Sequence, residues 1–113
     1  IKQDFYNQTT KFYKELEINQ ITLSQYIDKN NISKIDFLKI DTEGYEYDVL
    51  LGLKEDISKV SLIMFEHHYH DMLLKNYVFH DIHNLLISNN FKRIYKYKMA
   101  FRKTFEYVYE NKK

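Results

Sequence analysis

No cysteine occurs in the 113 residues, which removes disulfides, thiolate nucleophiles and cysteine-ligated metals together. A reducing, soluble compartment is the expectation, and the cytoplasm is the natural one. Proline and tryptophan are absent as well, and glycine occurs only twice, at Gly44 and Gly52. No glycine-rich loop is therefore present. This bias, with its abundance of Lys, Asn, Ile and Tyr, is read as codon usage and carries no function. No apolar run approaches the roughly 20 residues of a membrane-spanning helix. The chain opens on Ile1 with no basic segment leading into an apolar run, so no signal peptide is read and the sequence is expected to be a fragment.

What is present suffices for a core. The chain is 44% hydrophobic and 17% aromatic, and large aromatic side chains let a short chain bury enough surface to fold as one domain. The net charge of +1 hides an asymmetry: residues 91 to 113 carry 8 basic against 2 acidic side chains, whereas the first 90 carry 9 against 14. Such a tail suits nucleic acid or an anionic surface, but a basic closing hairpin on a soluble domain is the plainer reading.

Along the chain, Glu17 to Thr22 is read as a strand. The spacing Leu23, Tyr26, Ile27 then marks one helical face, with Thr22 or Ser24 able to cap it and Asn30-Asn31 suited to its end. Ile35 to Ile40 is mostly apolar and stops abruptly at Asp41-Thr42-Glu43-Gly44, the pattern of a strand buried on both faces that feeds a tight turn. Tyr45, Val49, Leu50 and Leu53 return at helical spacing, closed by Gly52. Val60 to Glu66 repeats the apolar strand, so a parallel crossover unit is predicted. Ile82, Leu85 and Leu86 give a later helix ending at Asn89-Asn90, and Phe91 to Phe101 with Phe105 to Tyr109 read as an antiparallel pair turning near Arg102 to Thr104. The sum is an α/β domain of parallel strands followed by an antiparallel edge hairpin.

Ligands in open α/β sheets sit beyond the carboxyl ends of parallel strands. There this sequence places Asp41 and Glu43 after one strand, and Glu66 and His67 after the next. Gly44 between Glu43 and Tyr45 admits close backbone approach or a backbone angle closed to other residues. The competing reading is that the carboxylates cap the helix and Gly44 only serves the turn.

The run Lys39-Ile40-Asp41-Thr42-Glu43-Gly44-Tyr45-Glu46, followed by Val49-Leu50 and Gly52, resembles the signature of the FkbM family of S-adenosylmethionine-dependent methyltransferases. Ile21-Thr22-Leu23 is similar to the family's threonine-leucine-aspartate segment, with Ser24 standing where aspartate is usual, and Leu62 to Glu66 is similar to its following strand. The resemblance covers roughly residues 18 to 70. It implies the C-terminal half of a Rossmann-like class I methyltransferase sheet, with Ile35 to Ile40 as its fourth strand and Val60 to Glu66 as its fifth. Residues 1–113 would be a single partial domain, the glycine-rich loop and the acidic residue that hold the cofactor lying upstream.

The implied activity is methyl transfer from S-adenosylmethionine to a hydroxyl of a sugar or other small polar metabolite. Asp41, Glu43 and Glu66 are the catalytic candidates, Asp41 foremost as base or as the group orienting the hydroxyl. Asp41 and Gly44 are the candidate cofactor contacts. Carboxylates at Asp41, Glu43 and Glu66 suit Mg²⁺, although nothing in their spacing demands a metal. His68 and His70 share a face of an extended segment but show no third zinc ligand, and the histidines from His67 on are read as surface or substrate-facing groups past the strand. The expected partner is the small acceptor, with neither nucleic acid nor membrane. The rival readings are a degenerate methyltransferase-like binding module and a nucleic-acid-binding domain built on the basic, aromatic tail.

Overall fold

The computed structural model describes residues 16–70 and 73–113. Helix α1 spans Leu23–Lys29 and is followed by strand β1 (Ile35–Ile40), helix α2 (Glu46–Leu51) and a 3₁₀ turn at Lys54–Lys59. Strand β2 (Val60–His68), helix α3 (Phe79–Ser88) and strands β3 (Phe91–Lys98) and β4 (Thr104–Asn111) complete the chain. The four strands form one sheet in the order β1-β2-β4-β3. β1 and β2 are parallel, and β4 pairs antiparallel with both β2 and β3. The predicted parallel pair and edge hairpin are both present.

Local chemistry accounts for the element ends. Thr22 caps α1 through a reciprocal pair of bonds with Gln25, each side chain accepting the other's backbone N–H. Ser24 instead donates to Asp56 at 2.6 Å. Asn31, at φ 53°, closes α1 in the left-handed conformation, while Ile32 N–H returns to Ile27 C=O at 3.0 Å. Residues 16–22 form no strand, contrary to the sequence expectation. Their apolar side chains point to solvent, with Leu16, Ile18 and Ile21 more than half exposed.

One face of the sheet carries the core. Ile40, Ile63, Phe65, Tyr107 and Tyr109 pack against Leu50, Ile57, Ile82 and Leu86 from the helical layer, all essentially buried. Phe65 lies between Tyr107 and Tyr109, its ring 5.5 and 5.8 Å from theirs, and each such aromatic pair adds roughly 0.5–1.5 kcal/mol beyond its buried area. Burial lifts the Tyr109 hydroxyl to about 12, and it bonds the His83 ring at 2.6 Å.

Two expectations are corrected. β1 is not buried on both faces: among the described residues it pairs only with β2, and Phe37 is 52% exposed. The face of α2 turned inward carries Glu46 rather than Tyr45, which is exposed. β3 carries a bulge between Arg93 and Tyr95, beyond which Lys96 and Lys98 lie opposite Tyr107 and Phe105.

Candidate functional site

The turn joining β1 to α2 carries the signature, and its shape follows from two successive positive backbone angles, φ 55° at Glu43 and φ 113° at Gly44. The second angle calls for glycine. A side chain at Gly44 would also collide with the carbonyl oxygen of Leu74, which packs directly on its Cα. The Gly44 N–H is taken as well, by both carboxylate oxygens of Glu46 at 3.2 and 3.1 Å. Both sequence arguments for glycine therefore apply at this position, and what approaches it is the chain's own loop.

Glu46 is fully buried, which a carboxylate tolerates only with strong partners. Besides Gly44 it accepts the hydroxyl hydrogen of Tyr77 at 2.8 Å. That hydrogen being committed, the Tyr77 oxygen accepts from His67 Nδ1 at 3.3 Å, which assigns the proton of the His67 ring to Nδ1. Burial, then the bond to Glu46, pushes the Tyr77 hydroxyl far above its usual range. Burial also lowers His67 to about 4, so the ring is neutral at pH 7. The chain Gly44, Glu46, Tyr77, His67 thus ties the signature turn to the end of β2 and to the loop before α3.

Asp41, Glu43 and Glu66 come together at the carboxyl ends of β1 and β2. Ile40 pairs with Phe65, so the residues that follow them, Asp41 just past β1 and Glu66 within β2, lie side by side. Desolvation raises the Glu66 carboxyl first, and the negative charges of Asp41, Glu106 and Glu43 raise it further. Glu106 lies directly across from Glu66 on β4. Asp41 and Glu43 are exposed, and Glu66 is half-buried. None of them caps α2: the N-cap is Tyr45, which makes no side-chain cap bond.

β2 runs two residues beyond its predicted end, so His67 and His68 are strand residues with 2% and 8% exposure rather than surface groups past it. His68 pairs with Thr104 of β4, and its Nδ1 meets the Thr104 hydroxyl at 3.0 Å. Its Nε2 lies 3.9 Å from a Glu66 oxygen. Two clefts open at this end of the sheet and share His68. One, of about 510 Å³, is lined by Glu43, His68, Thr104 and the β3–β4 turn; the other, of about 640 Å³, lies between His67, Tyr69, Tyr77 and Phe79. Sequence reasoning pointed to the histidines at this strand end but missed Glu46, Tyr77 and Thr104 as members of this region. Thr104 is 36 residues from His68, and only sheet pairing joins them.

Among the described residues, no group of three or more His, Cys, Asp or Glu side chains is arranged to hold a metal ion. No helix among them is long and apolar enough to cross a membrane. A family model described as the Methyltransferase FkbM domain matches residues 2–98, well beyond the stretch around the signature. No curated protein and no solved structure matches the chain.

Proposed function

The chain belongs to the FkbM methyltransferase family, and on that premise we propose that it forms part of an enzyme that methylates a hydroxyl oxygen on a sugar or other small polar metabolite, with S-adenosylmethionine as donor. The observation carrying this reading is the gathering of Asp41, Glu43 and Glu66 at the carboxyl ends of two parallel strands, beside a cleft of about 510 Å³. Clefts of this order accept small ligands. The strand arrangement, a parallel pair continued by an antiparallel hairpin, supports the assignment to the C-terminal part of a Rossmann-like methyltransferase sheet.

When bound, S-adenosylmethionine supplies an electrophilic methyl group on a positively charged sulfur. The exposed carboxylates of Asp41 and Glu43 suit that charge and the cofactor's hydroxyls. Gly44 serves the same end by shaping the turn that presents them, since its N–H and open side are occupied by Glu46 and Leu74. With Gly44 and Gly52 both used in turns, Asp41 and Glu43 contribute one side of a cofactor site. Asp41 orients the acceptor hydroxyl, because transfer depends on holding oxygen and methyl in line at near-attack distance.

The test is calorimetric titration of the full-length protein with S-adenosylmethionine, followed by assay of S-adenosylhomocysteine release with a panel of monosaccharides. Binding with release supports the reading. Binding without release from any hydroxylated acceptor favours a degenerate binding module, and no binding overturns the proposal.

A further inference from the structure

Among the described residues, His68 Nε2 is the one buried side-chain nitrogen or oxygen without a hydrogen-bond partner. Leaving such an atom unmatched costs about 1–3 kcal/mol, so a fold that keeps one calls for an explanation. The ring is firmly placed: His68 stands opposite fully buried Thr104, whose hydroxyl meets Nδ1 at 3.0 Å. Its free nitrogen lies 3.9 Å from a Glu66 oxygen, too far for a direct hydrogen bond. A single hydroxyl oxygen at about 2.8 Å from each atom spans that gap. The ring also lines the cleft that Glu43 and Thr104 border.

We propose that the acceptor hydroxyl is held between His68 Nε2 and the Glu66 carboxyl, and that Nε2 takes its proton as the methyl is transferred. The inference rests on the methyltransferase reading and names the proton acceptor within it. The oxygen lone pair forms the new O–C bond. The C–S bond of the sulfonium donor breaks with its electron pair going to sulfur, and the O–H proton moves to Nε2. The products are a methyl ether, a neutral thioether and a His68 imidazolium that returns its proton to water. Thr104 positions the ring by accepting from Nδ1–H, which leaves the Nε2 lone pair for the proton. The new positive charge faces Glu66 on its own strand, with Asp41 and Glu43 beyond β1 and Glu106 on β4 around that carboxyl.

Two measurements on the full-length protein test this. The first needs no acceptor: nitrogen NMR of the histidine rings reports which nitrogen of His68 is protonated. The expected result is Nδ1–H with bare Nε2, and loss of that preference in Thr104→Val; a resting ring protonated at Nε2 overturns the proposal. The second compares turnover. His68→Gln is expected to lower kcat by about 10²- to 10⁴-fold, the usual loss for a general base, with KM, S-adenosylmethionine affinity and melting temperature little changed. His68→Ala should regain turnover with added imidazole. A His68→Gln protein that turns over like wild type overturns the proposal while leaving the methyltransferase reading intact. Wild type that does not bind S-adenosylmethionine removes that reading, and the His68 assignment with it.

Discussion

Tyr77 donates its hydroxyl hydrogen to Glu46 across 2.8 Å in a fully buried setting, joining the loop before α3 to the first residue of α2. Removing the donor alone leaves a buried carboxylate with fewer partners, which costs more than the bond contributes. Tyr77→Phe is therefore expected to destabilise the protein by roughly 1–3 kcal/mol. Glu46→Gln in the same background should recover part of that loss, because a neutral amide is less costly to bury. Urea denaturation of the two single variants and the double variant checks this. Purely additive losses would show that the pair does not interact.

Gly44→Ala is expected to fail through both of its constraints. At φ 113° an alanine is strained, and its methyl meets the Leu74 carbonyl. Strained positions of this kind cost on the order of 1–3 kcal/mol. The loop can shift to relieve the collision, so ligand affinity should fall together with melting temperature. A Gly44→Ala protein with wild-type melting would show that the turn is not fixed by this contact.

The depressed His67 ring sets an acid limit on stability. Its folded value of about 4 lies below the ordinary 6.5, so the folded state favours the neutral ring. Between these values the unfolded chain binds more protons than the folded one. Stability is then full above about pH 6.5 and declines as pH falls toward 4. Melting temperature followed from pH 7 to 4 should show this decline, and His67→Gln, which cannot titrate, should flatten it. An identical slope in the variant would assign the decline to other groups.

The strands and the signature turn were legible because their signals are local. Ile35 to Ile40 ending in Asp41 is a contiguous pattern, and the asparagines at the helix ends announce left-handed residues; Asn31 and Asn90, at φ 53° and 68°, are such positions. What was not legible depends on pairing across the chain. Glu46 reads as a surface helix residue until Tyr77, 31 residues on, buries and bonds it. His67 and His68 read as past the strand because the antiparallel partner that extends β2, with Phe105 and Thr104 opposite them, comes from the far end of the sequence. The proximity of Asp41 to Glu66 followed from two apolar parallel strands running side by side, whereas the part played by Glu106 followed only from β4 lying beside β2.

The role of Asp41 is decided by which quantity moves in Asp41→Asn, a change that keeps size and backbone while removing charge. If Asp41 capped α2, the substitution would cost little, since Asn caps as well as Asp, and an Ala variant would lose about 1 kcal/mol. The cap position belongs to Tyr45, however, and the nearby N–H of Gly44 is bound by Glu46, so no capping loss is expected from either variant. Instead Asp41 acts on Glu66, whose carboxyl is raised by burial and then by the Asp41 charge. A carboxyl raised in the fold contributes its stability below the ordinary carboxylate range and loses it as pH climbs through the folded value. Without the Asp41 charge Glu66 ionises more readily, so Asp41→Asn should be at least as stable as wild type at pH 7. Turnover should fall, by about tenfold to a hundredfold for an acceptor no longer held in line, with donor affinity changed less. Melting and kcat measured on the one protein check both statements. Undiminished turnover would remove Asp41 from the site and leave Glu43 and Glu66 as the carboxylates that orient the acceptor.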